Sequence, residues 1–160
     1  MNHAVLYVRD AQRTYAFYRE VLGFRLAGDI PQAGAVFLQA PDSTNDHDLA
    51  LFTIGDGAGD STAGRSTVGL YHIAWEVQTL GDLQEIALKL ANAGAMVGAT
   101  DHATTKALYA KDPDGLEFEV CWILPERFLT DEVETAKTRL IPLDLEADIE
   151  RYGLDTVGGR

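Results

Sequence analysis

His72-Ile-Ala-Trp-Glu-Val77, followed by the stretch from Leu80 to Leu90, decides how this chain is read. The first six residues are strand formers headed by a histidine. Behind them Leu83, Ile86, Ala87 and Leu90 recur at three- and four-residue spacing, the period of one helix face, and Gly94 closes the helix. Short strands are expected near Met96 to Val97, Leu108 to Ala110 and Leu116 to Ile123. The last two are joined by Asp112-Pro-Asp-Gly115, whose Pro in second and Gly in fourth place signal a type I turn. The order is strand, helix, three strands.

The same order stands at the N-terminus. His3-Ala-Val-Leu-Tyr-Val8 is a strand and Asp10 a helix N-cap. Tyr15, Phe17, Tyr18, Val21 and Leu22 form an apolar stripe ended by Gly23. Strands follow at Phe24 to Ala27, Ala35 to Gln39 and Leu49 to Ile54, separated by turn-rich stretches. His3 and His72 head the two units at an offset of 69 residues. The segment from Gly55 to Ser66 lacks periodicity and reads as a linker. The sequence thus predicts an α+β fold of two βαβββ modules, residues 1–55 and 67–124, forming a curved mixed sheet around a cavity. Residues 125–160 lie outside the repeat and read as a helical tail, with Leu145, Ile149 and Tyr152 at helical spacing, packed on the domain or on a partner subunit.

Composition narrows the partners. A chain of 160 residues with 46% hydrophobic content supports one well-cored domain. Its formal charge of -12 disfavours nucleic acid and anionic membrane surfaces, leaving a small ligand as the default partner. No apolar run approaches the roughly 20 residues of a membrane span, so a soluble, cytoplasmic protein is expected. Cys121, the single cysteine, lies in an apolar run and reads as a buried hydrophobe, leaving His, carboxylate and Tyr to carry any chemistry. Exposed strand edges and the added tail point to a homodimer.

All four histidines, His3, His47, His72 and His102, fall at or beside an expected strand terminus. A pseudo-twofold relation between the modules would bring His3 and His72 face to face as metal ligands. A third ligand would come from Glu117 or Glu119, two acids on one face of an otherwise apolar strand. A carboxylate facing a core is costly unless paired or metal-bound. Two His and one carboxylate, with positions left open, is the ligand set of non-haem iron(II) oxygenases.

These residues resemble the vicinal-oxygen-chelate superfamily, which includes glyoxalase I, bleomycin-resistance proteins, epimerases and type I extradiol dioxygenases. The resemblance covers about residues 3 to 123 and rests on His72-Ile-Ala-Trp-Glu-Val and Asp112-Pro-Asp-Gly-Leu-Glu-Phe-Glu119. It implies His3, His72 and Glu119 as ligands of one divalent metal: Fe(II) first, with Mn(II), Ni(II) or Zn(II) as alternatives. The extradiol dioxygenases are the best match. Asn45-Asp-His47 resembles their segment with an acid–base histidine, and Asp101-His102 with Lys106-Ala-Leu-Tyr109 resembles the one carrying a histidine and a substrate-binding tyrosine. The resemblance implies ring cleavage of a catecholic substrate with dioxygen. Glyoxalase-type lyases and epimerases of this kind use a fourth ligand on the fourth strand, and Leu49-Ala-Leu-Phe-Thr-Ile54 offers none. An isomerase or lyase, or a drug-sequestering binder, is the alternative reading.

Overall fold

A computed structural model describes residues 2–64 and 66–159. The chain divides into two compact units, residues 1–67 with 112–116, and residues 68–111 with 117–160.

In the first unit, β1 (Ala4–Val8) leads into α1 (Ala11–Leu22), then β2 (Arg25–Ile30), β3 (Ala35–Gln39) and β4 (Leu49–Thr53). The Asp10 side chain accepts from the amides of Gln12 and Arg13, starting α1. Gly23 ends it at φ 73, a left-handed conformation in which a β-carbon is strained. The sheet order is β1-β4-β3-β2, with β1 parallel to β4 and the other pairs antiparallel. Tyr18, Val21 and Leu22 of α1 are buried together with Leu38, Leu49 and Leu51 of the sheet. The turn at residues 112–116 also belongs to this unit, where Asp114 accepts from Arg9 at 3.0 Å and Arg13 at 2.8 Å.

The second unit repeats the plan with β5 (Ile73–Glu76), α2 (Leu80–Asn92), β6 (Met96–Asp101), β7 (Thr105–Lys111) and β8 (Glu117–Ile123). Its order is β5-β8-β7-β6, again with the outer pair β5 and β8 parallel. A reciprocal capping box between Thr79 and Asp82 opens α2. The repeat reaches into detail. Both antiparallel hairpin pairs slip register at one place, between Leu26 and Gly28 in the first unit and between Met96 and Gly98 in the second.

The expected elements are present, with longer bounds for β6 and β7 than apolar content suggested. Their ladder pairs Thr100 with Ala107 and Asp101 with Lys106, polar positions held in strand by cross-strand hydrogen bonds. The tail is more varied than a helix. It forms α3 (Asp131–Thr135), β9 (Ile141–Pro142), which adds to the edge of β6, and α4 (Leu145–Tyr152), which packs against α2. Beyond α4 the chain returns across the unit: Trp122 Nε1 donates to the Thr156 carbonyl at 3.1 Å and the Gly158 amide donates to Gln78.

Candidate functional site

Each histidine sits where a strand begins or ends: His3 just before β1, His47 shortly before β4, His72 just before β5, His102 just after β6. Side chains there escape the pleat's alternation while their backbones stay anchored.

In the second unit, β8 sorts its residues by period two. Phe118, Val120 and Trp122 are buried against α2, and Glu117 and Glu119 take the opposite face. The two acids have different partners. Glu117 lies 4.0 Å from Lys111 across the hairpin, whereas Glu119 Oε2 lies 3.0 Å from His72 Nε2, with its side chain only 12% exposed. Among the described residues His72 is the only ion-pair partner of Glu119. The two acids of one strand face therefore differ in partner, Glu117 lying near a half-exposed lysine and Glu119 against His72.

Tyr109 is the cross-strand partner of Glu119, and its ring lies 5.8 Å from that of His72. Burial, with Glu119 and Tyr71 adding, pushes its phenol up to about 12, so it stays protonated. Its hydroxyl is 3.0 Å from His102 Nε2, and the other ring nitrogen, Nδ1, is 3.1 Å from the Arg139 carbonyl of the tail. Tyr71, its ring 4.6 Å from that of His72 and tilted 59° to it, joins this group without having been singled out in the sequence. Its position beside His72 was the only signal.

In the first unit, the rings of His3 and His47 lie 4.5 Å apart, with Phe37 5.2 Å from His47. Asp48 organises the loop carrying His47, accepting from the Ala40 amide, Ser43 and Asn45. Burial opposes its ionisation, yet these hydrogen bonds outweigh it and hold its carboxyl below the ordinary value. Among the described residues no three His, Cys, Asp or Glu side chains gather closely enough to hold a metal ion. The observed donor pair is His72 with Glu119. That pair suits a cation: 3.0 Å is the edge of an octahedron whose corners lie roughly 2.1 Å from its centre, an ordinary distance for imidazole and carboxylate ligands.

A second polar cluster was not foreseen. Lys106, 1% exposed on the helix side of β7, holds Asp101 at 2.9 Å and Asp148 of α4 at 3.1 Å. Arg139 also pairs with Asp101, and Tyr152 lies beneath the ammonium. The two carboxyls respond oppositely. Burial resists ionisation of both, but Lys106, the Ala103 amide and Arg139 together pull Asp101 below its ordinary pKa. Asp148, with fewer donors and Asp101 nearby, stays above its own. The cluster binds the tail to the sheet.

The model of the Glyoxalase/Bleomycin resistance protein/Dioxygenase superfamily matches residues 1–120. A catechol-2,3-dioxygenase of Bacillus subtilis (strain 168) is 30% identical over 123 residues, 75% of this chain and 40% of that protein. A biphenyl-2,3-diol 1,2-dioxygenase 3 of Rhodococcus globerulus is 32% identical over 99% of this chain and 75% of its own length. The chain thus spans less than half of the Bacillus relative. Among solved structures, a glyoxylase/bleomycin resistance protein/dioxygenase domain from Frankia sp. EAN1pec superposes with a TM-score of 0.60 at 22% identity, covering 76% of this chain and 89% of that one. The fosfomycin resistance protein FosX of Listeria monocytogenes does so with 0.57 at 18% identity, covering 76% and 90%. These structures share the fold.

Proposed function

The chain belongs to the Glyoxalase/Bleomycin resistance protein/Dioxygenase superfamily, and from that premise we propose that it is a cytoplasmic, metal-dependent extradiol dioxygenase. It would cleave a catecholic ring with dioxygen, using Fe(II). The observation that carries the reading is the His72–Glu119 donor pair at 3.0 Å, with the Tyr109–His102 hydrogen bond beside it on the same sheet. The relatives named as dioxygenases of catechol and of biphenyl-2,3-diol favour this chemistry over isomerisation.

His72 and Glu119, with His3 as third ligand, would hold the metal. When bound, a divalent metal supplies Lewis acidity that lowers the pKa of a coordinated hydroxyl towards neutrality. The rest falls to the chain. Tyr109, kept protonated and backed by His102, orients a substrate oxygen by hydrogen bonding. His47 moves protons at the reacting oxygens. The sheet edges β1 and β5 are proposed to pair in a homodimer, where Val5 and Tyr7 stand exposed.

The test is anaerobic purification with ferrous iron and assay against a panel of catechols for yellow ring-opened product. The Glu119→Gln variant is expected to bind metal more weakly, and His47→Asn to lose turnover while keeping its metal. Inertness towards every catechol, together with isomerisation of a thiohemiacetal, would replace this reading with a lyase. A protein purified without metal that binds aromatic ligands unchanged would make it a sequestering module.

A further inference from the structure

His102 is held at both ring nitrogens, and its two partners have different chemistry. The Arg139 carbonyl, 3.1 Å from Nδ1, can only accept a hydrogen bond. Nδ1 must therefore carry a proton. In a neutral imidazole Nε2 is then the unprotonated nitrogen, and the hydroxyl of Tyr109, 3.0 Å away, donates to it. Hydrogen positions, invisible as atoms, follow here from an acceptor that has no alternative role.

The carbonyl that imposes this choice does not belong to the sheet. It lies on the tail, and three contacts hold it there. The Arg139 guanidinium pairs with Asp101, the residue adjacent to His102. Immediately beyond, Ile141 and Pro142 pair with Asp101 and Thr100 as the strand β9. Asp101 is itself fastened by Lys106 at 2.9 Å, and Lys106 by Asp148 of α4 at 3.1 Å. The chain of contacts runs from α4 through a buried ammonium to the carbonyl that addresses His102.

We propose that the Arg139 carbonyl, positioned by the C-terminal tail, locks His102 in its Nδ1–H tautomer and so makes Tyr109 a hydrogen-bond acceptor towards the ligand bound beside His72 and Glu119. The single hydroxyl proton of Tyr109 is committed to His102, and only its oxygen lone pairs face the open side. The site then selects a ligand that presents a hydroxyl donor to Tyr109, and disfavours one that presents a carbonyl or an ether oxygen there. Arg139 is a positioning residue. The lock itself stands independently of the reaction, whereas its consequence for ligand choice rests on the functional reading above.

The test reads the tautomer directly. Long-range proton–nitrogen correlation spectra of the 15N-labelled, metal-free full chain at neutral pH, with His102 assigned by its loss in His102→Asn, should show a protonated Nδ1 and an unprotonated Nε2. A protonated Nε2, alone or together with Nδ1, or an averaged pattern, overturns the lock. Arg139→Ala should convert the single-tautomer pattern into an averaged one. The Arg139 side chain is 39% exposed beside an open cavity of about 230 Å³, so its removal takes little from the core. A tautomer unchanged in Arg139→Ala overturns the positioning role given to the Arg139 guanidinium. If the lock is observed while every catechol is left intact, the proposed reaction fails and the lock stands.

Discussion

Replacing Lys106 by Met keeps most of the volume of the side chain and removes its charge. In the native chain two carboxylates, Asp101 and Asp148, face two cations, Lys106 and Arg139. The substitution leaves Asp101 with Arg139 and Asp148 with no ion-pair partner inside the cluster. Breaking a buried pair from one side typically costs about 3–5 kcal/mol. An upper bound follows from protonation, because Asp148 can shed its charge by taking up a proton. At pH 7, protonating a carboxyl of ordinary pKa 3.8 costs about 4 kcal/mol at 1.36 kcal/mol per unit, and at pH 5 under about 2 kcal/mol. Lys106→Met should therefore lose about 3–4 kcal/mol at pH 7, seen as a fall of roughly 6–16 °C in melting temperature for a chain of this size. The loss should shrink by about half or more at pH 5. Denaturation followed by Trp fluorescence at both pH values measures it. A loss below about 1 kcal/mol at pH 7, or one that does not shrink at pH 5, refutes the reasoning.

Asp112 is pushed up to about 6, chiefly by burial, with the backbone amides of Leu116, Asp114 and Gly115 only partly offsetting it. Its folded pKa exceeds its unfolded value of 3.8, so stability present below about pH 4 is lost as pH rises through 6, by about 3 kcal/mol. Asp112→Asn should flatten that part of the pH–stability curve and raise stability at pH 8 in urea titrations. Gly158→Ala would place a β-carbon 2.6 Å from the Ile123 carbonyl oxygen and from Trp122 Nε1. It should cost roughly 1–3 kcal/mol and shift Trp fluorescence as the terminal strap lifts; an unchanged spectrum and melting temperature would contradict the packing. The buried Cys121 thiol, raised to about 12 by burial and then by Glu119 and Glu76, should resist thiol reagents in the native protein and react fully once unfolded.

Much of the fold was legible because its signals are local. Asp10 and Thr79 cap their helices through side chains two or three residues away. Gly23 takes a left-handed turn, and the Asp112–Gly115 turn closes with an amide-to-carbonyl bond of 2.9 Å. The duplication was legible because a second copy of a local pattern needs no knowledge of contacts. The extent of β6 and β7 was less so, since Thr100, Asp101 and Lys106 are strand residues only by virtue of their partners.

From sequence alone came the strand–helix–three-strand order, its repetition, the histidines at strand ends and the acids at 117 and 119, all properties that residue type and spacing carry. Tertiary structure set Glu119, the acid that the family resemblance implies, 3.0 Å from His72 and left Glu117 near Lys111. It also decided that Lys106 is buried, that the tail supplies its counter-charge, and that a tail carbonyl addresses His102 from 37 residues away. Such pairings join residues distant in sequence. Their energy lies in desolvation and distance, which no local pattern encodes.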